Sequence, residues 1–112
     1  MKVILHVNQN DRWNMAIGNI HNLLNLDPKL EIEMLVHGEP IVNLKEETSK
    51  EMEIYDDLKK LSEKGVKFAA CNNTMTKMNI DKSEMCTFVK IVPAGVMELI
   101  EKQNEGYAYV KP

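Results

Sequence analysis

The sequence predicts an α/β domain built on a mostly parallel sheet with helices on both faces. The apolar period switches repeatedly between short strand-like runs and helical stripes, giving the order β-α-β-α-β-α-β-α-β. Such alternation requires crossover connections, which favour parallel pairing. The length of 112 residues matches one ordinary domain, residues 1–112, able to bury about two-thirds of its unfolded surface without staples.

The elements follow in order. KVILHV at 2–7 is a continuous apolar run, the pattern of a strand covered on both faces. From Asp11 the spacing turns helical, with Trp13, Ile17, Ile20 and Leu24 on one stripe and Asn10 or Asp11 as cap. Asp27-Pro28 ends that helix, because a residue before proline avoids the helical region. LEIEMLVH at 30–37 reads as the second strand, followed by Gly38, Pro40 and a short helical piece around Ile41 and Leu44. KEETSKE reads as a solvated linker, and Thr48 with Glu51 as the capping box of a helix carrying Ile54, Leu58 and Leu61. Gly65 stops that helix.

VKFAAC at 66–71 is the third strand, and Asn73 is placed to cap a turn containing Met75 and Met78. Asp81 and Glu84 form a second capping arrangement. TFVKIV at 87–92 is the fourth strand. Pro93 opens a last helix with Val96, Leu99, Ile100 and Gln103 on one face, and Gly106 ends it. YAYVK at 107–111 alternates and is expected at a sheet edge. Trp13 and the last strand, with Tyr107, Tyr109 and Val110, are candidates for a subunit interface, the alternative being that Tyr107 and Tyr109 pack within the monomer.

Composition narrows the function. Aromatics are only 5%, so the core is expected to rest on Ile, Leu, Val and the eight Met. The net charge of -3 and the absence of a basic or aromatic stripe speak against nucleic acid. No apolar run reaches the ~20 residues of a membrane span. MKVILHV lacks the features of a signal peptide, so the cytoplasm is the expectation. The two cysteines, Cys71 and Cys86, fit no CxxC redox or zinc spacing, and no disulfide, metal or cofactor is expected. Glycine-rich phosphate loops and the GxSxG elbow are absent.

In open parallel sheets, ligands bind beyond the carboxyl ends of the strands. That rule selects Asn8, His37-Gly38, Cys71 with Asn72, Asn73 and Thr74, and Gly95. Cys71 stands where a strand gives way to a polar loop and a short helix. A helix N-terminus lowers a thiol's pKa, and neutral donors nearby hold its anion. The competing reading is a structural thiol, since free Cys is commonly buried as a small hydrophobe. His37 either orients a substrate or moves a proton, or only bonds a neighbouring carbonyl. His6, inside the first strand, reads as a satisfied core histidine, and Cys86 reads as core. Glu46, Glu47, Glu51 and Glu53 read as a solvated face.

NQNDRWNMAIGNIHNLL after the first strand, the HG step at 37–38, GVKFAACNNTM around Cys71 and the ending VPAGVMELIEKQNEGYAYVKP resemble the DsrE/DsrF-like (YchN-like) family nearly end to end. The resemblance implies a three-layer α/β/α sandwich with a five-stranded, mainly parallel sheet. It also implies homo-oligomers, commonly trimers or hexamers. In active relatives a cysteine just after the third strand carries sulfur as a persulfide between a sulfur donor and an acceptor protein, and Cys71 stands at that place. The functional expectation is a sulfur carrier of sulfurtransferase type. The alternative is a non-catalytic homo-oligomeric module that binds a small ligand or a protein, with Cys71 structural.

Overall fold

A computed structural model describes all residues from Met1 to Pro112. Five parallel strands form one sheet in the order β4-β3-β2-β1-β5, namely β1 Lys2–Val7, β2 Glu31–Val36, β3 Lys67–Cys71, β4 Val89–Val92 and β5 Ala108–Val110. The helices are α1 Trp13–Leu26, α2 Glu46–Glu51, α3 Tyr55–Glu63, α4 Asn72–Lys77 and α5 Gly95–Asn104, with 3-10 turns at Asn10–Arg12, Glu39–Leu44 and Lys82–Glu84.

The strand order explains the layers. From β1 to β4 each connection steps one strand in the same direction, so right-handed crossovers lay their helices on one face. The last connection returns across the whole sheet to β5, and the same handedness sends α5 to the opposite face. The first face buries a cluster of 18 residues around Leu5, Trp13, Ile20, Met34, Leu44, Leu61 and Phe68. The face under α5 buries only five, Ile4, Leu35, Ala69, Val92 and Tyr107. The central strands β1 and β3 therefore read as apolar runs, β2 carries Glu33 among its buried apolar residues, and β5 is exposed along its length at the edge.

The fold class agrees with the sequence reading, but several local expectations do not hold. Neither Asn10 nor Asp11 caps α1: Arg12 is the N-cap, without a side-chain bond, and the Asn10 amide instead donates to Glu39 at 3.0 Å. KEETSKE is not a linker, because residues 46–51 form α2 and Ser49 is buried. Thr48 and Glu51 therefore lie inside a helix and cap nothing, and α3 starts behind an uncapped Ile54. Asn73 falls within α4, whose N-cap is Cys71 itself. The Asp81/Glu84 capping box does form. Trp13 is core rather than interface, and only Met34, Met75 and Met85 of the methionines are buried.

The largest departure is in α5. Val96 and Ile100, expected to face the core, are 63% and 56% exposed, whereas Glu98 is buried. The helix lies alone on its face of the sheet, so a single stripe of α5 meets the strands and the rest has nothing to pack on.

Candidate functional site

The carboxyl ends of the strands bring the chemistry together. β3 ends at Cys71, which is also the N-cap of α4. β4 ends at Val92, and the extended backbone of Ala94 leads into α5 at Gly95. Two helix starts thus converge on one sulfur. The Gly95 N–H donates to Cys71 Sγ at 3.3 Å, and the Asn73 amide together with the Thr74 amide and hydroxyl adds further donors. Thr74 is set for this, because its oxygen accepts from the Gly38 N–H at 3.2 Å and its own proton is left for the sulfur.

These bonds decide the state of the thiol. Burial pushes the Cys71 thiol up, but the donors from Thr74, Gly95 and Asn73 outweigh it and hold the thiol below its ordinary value. Cys86 shows the opposite outcome. Burial pushes its thiol up, and its one neutral neighbour, Ser49 Oγ at 3.5 Å, does not offset that. The thiols of the two buried cysteines are therefore shifted in opposite directions, chiefly by the donors around Cys71 that Cys86 lacks. Cys71 is only 4% exposed, and the three surface depressions of the molecule, around Tyr55, around Leu23 and Val110, and around Leu24 and Pro28, do not include it.

The remaining expected residues fall in two groups. Gly38 adopts φ +71°, and a Cβ there would stand 3.1 Å from the Asn8 carbonyl oxygen, so glycine is required both by conformation and by space. Gly95 is pinched on its other side, where a Cβ would come within 2.7 Å of His37 Nδ1. Cys71, Asn73, Thr74, Gly38, Gly95 and His37 thus form one cluster. Asn72 opens α4, but its side chain takes no part in the bonds around the sulfur. Asn8 stands at the rim, its amide oxygen accepting from Lys111 at 2.8 Å.

His6 and Tyr109 complete a feature that the sequence reading passed over. His6 Nε2 meets His37 Nε2 at 2.7 Å, and His6 Nδ1 meets the Tyr109 hydroxyl at 2.6 Å. Burial, then His37 and then Lys111, lower His6 to about 4. Burial and then Lys111 also lower His37. Both rings are therefore neutral near pH 7. The available signal was two histidines near the carboxyl ends of consecutive strands, and only the parallel register brings their rings together.

A second buried polar group lies beneath α5. Glu33 on β2 is fully buried next to Glu98 of α5, and no group other than the Glu98 carboxyl stands ready to bond its carboxylate oxygens. Two carboxylates can bond each other only when one carries a proton. Burial first, then Glu98, raise Glu33 from 4.5 to about 8, against the weaker pull of Lys102 and Lys90.

The family model of the DsrE/DsrF-like family matches residues 1–112. The chain belongs to the DsrE/DsrF-like family. Its fold is similar to that of a solved protein of unknown function from Methanobacterium thermoautotrophicum, with a TM-score of 0.89 at 26% identity over 99% of this chain and 98% of the other. A conserved protein of unknown function from Bacteroides thetaiotaomicron shares the fold at a TM-score of 0.74 and 13% identity, over 99% and 94% of the two chains. No curated protein matches the sequence. No helix of this DsrE/DsrF-like chain is long and apolar enough to cross a membrane.

Proposed function

We propose that this DsrE/DsrF-like protein is a sulfur carrier that takes up a sulfur atom as a persulfide on Cys71 and passes it to a partner protein. The observation that carries the reading is the set of donors from Thr74, Gly95 and Asn73 on a single buried sulfur, which favours the thiolate in spite of burial. The thiolate is the attacking species in thiol chemistry. Cys71 S⁻ attacks the outer sulfur of a donor persulfide, a new S–S bond forms, the donor's own S–S bond breaks, and the donor leaves as a thiolate. No oxidant is consumed. The same donors then stabilise the persulfide anion until an acceptor attacks it.

Mass spectrometry of the protein after incubation with a persulfide donor tests this reading. Wild type gains one sulfur and Cys71→Ser gains none. Equal uptake by the serine variant overturns it.

The 4% exposure of Cys71 favours a second reading, a non-catalytic oligomeric binding module in which the thiol only packs. The two readings part on native labelling. The carrier alkylates readily at neutral pH, and the module alkylates slowly.

Self-association belongs to the same proposal. Val96, Met97 and Ile100 form an exposed apolar surface on the outer side of α5. Such a surface suits a second copy of this chain.

A further inference from the structure

We propose that His37, His6 and Tyr109 form a proton path for Cys71, with His37 taking the thiol proton and the chain of hydrogen bonds delivering it to solvent at Tyr109. This rests on the carrier reading of Cys71 and names how its proton is handled. The geometry begins at Gly95. Its N–H reaches Cys71 Sγ at 3.3 Å, while His37 Nδ1 lies against the place where its Cβ would be, so the thiol and the imidazole flank one glycine without bonding each other, and the first transfer runs through one bridging water. From there the bonds run without a gap, from His37 Nε2 to His6 Nε2 at 2.7 Å and from His6 Nδ1 to the Tyr109 hydroxyl at 2.6 Å. Tyr109 is 42% exposed on the edge strand, so the far end reaches water.

His6 bonds through both ring nitrogens, and His37 bonds through Nε2 alone, which leaves its Nδ1, beside Gly95, open to accept a proton. In the accepting state His37 carries its proton on Nε2 and donates it to His6 Nε2. His6 carries its proton on Nδ1 and donates it to the Tyr109 oxygen, and the Tyr109 hydroxyl donates to water. When the Cys71 proton reaches His37 Nδ1, the Nε2 proton moves to His6, the His6 Nδ1 proton moves to Tyr109, and the Tyr109 proton leaves to water. The departing donor thiolate takes a proton back from water, so the overall exchange is neutral. Both rings end neutral with their tautomers reversed.

This arrangement answers a difficulty that a single histidine would face. The ring environments disfavour imidazolium, through burial and through Lys111 at the rim. A lone base of that kind holds a proton poorly, whereas a chain passes one along with no lasting charge. The titratable and charged groups that act on the two rings are each other, Tyr109 from β5, which bonds His6, and Lys111 from the segment that follows it.

Two measurements test the proposal. Nitrogen-15 NMR of the neutral protein reads the tautomers, and His6 and His37 are expected to be opposite, one protonated on Nε2 and the other on Nδ1. Identical tautomers in the two rings overturn the chain. The second measurement is the single-turnover rate of Cys71 loading from glutathione persulfide, as a function of pH, for wild type, Tyr109→Phe and His6→Gln. Both variants are expected to load about tenfold or more slowly near pH 6.5, at the lower end of what positioned proton transfer contributes. The deficit is expected to vanish near pH 9, where solvent ionises the thiol unaided. Loading at the wild-type rate near pH 6.5, or a deficit that persists unchanged at all pH values, overturns the path and assigns the residues to packing. If wild type itself takes up no sulfur, the carrier reading has failed and this proposal falls with it. Failure of the path alone leaves wild-type loading intact.

Discussion

Glu33→Gln addresses the buried carboxyl that the fold leaves with only another carboxyl, Glu98, beside it. The wild-type carboxyl is raised from 4.5 to about 8, first by burial and then by Glu98. An acid whose folded value lies above its unfolded value keeps its proton better in the fold. Its contribution is therefore fully present below the unfolded value and is lost as pH rises from 4.5 through about 8. Each pH unit in that window costs about 1.4 kcal/mol. Wild type accordingly loses about 3 kcal/mol between the bottom of the window and pH 7. The substituted amide has the same shape as the carboxyl, cannot ionise, and offers its N–H as a donor to the Glu98 carboxylate. The variant is expected to equal wild type near pH 5 and to exceed it by about 2–3 kcal/mol near pH 7, on the order of 10 °C in Tm for a chain of this size. Urea denaturation at fixed protein concentration, repeated from about pH 5 to 8, measures the slope directly. If Glu33→Gln follows the same pH slope as wild type, Glu33 is not the group that titrates and the account of the α5 face is wrong.

Two further outcomes follow from the site and its surface. Thr74→Val removes the hydroxyl that donates to Cys71 and is expected to raise the thiol pKa and slow iodoacetamide labelling near pH 7 about tenfold, given that a hydrogen bond to a charged group contributes roughly 1.5–3 kcal/mol. An unchanged labelling profile would show that the amides alone set the thiol. Ile100→Lys places a charge in the exposed apolar surface of α5 and is expected to shift a self-associated protein toward monomer in sedimentation velocity, with Tm at most slightly changed because the residue is already 56% exposed. A monomeric wild type at micromolar concentration removes that interface.

The correspondence between sequence and structure divides along a physical line. Strand-forming runs such as KVILHV and FAAC were legible because burial on both faces demands unbroken apolar residues, and the alternation with helices already implied parallel pairing. The Asp81/Glu84 capping box was legible because both partners are local. Thr48 and Glu51 carried the same local signature and formed no box, because the chain around them was drawn into α2, which buries Ser49. The helical stripe of α5 was correct in period and wrong in facing, since periodicity states that a helix has sides and not which side the sheet will cover.

That Cys71, Gly38 and Gly95 come together could be expected from the chain alone, because strand ends and their loops are marked by local composition and parallel strands place those ends along one edge of the sheet. His6, Tyr109 and Glu33 could not. The Tyr109 hydroxyl meets a ring 103 residues away, and only the return of the last crossover to the far edge brings β5 beside β1. Sequence by itself determined the architecture and the address of the sulfur, since both follow from interactions between near neighbours and from the solvent each run avoids. The tertiary structure alone decided which donors reach that sulfur, which imidazoles share a proton and which carboxylate is stranded, because each depends on register and on the handed path of the chain between distant segments.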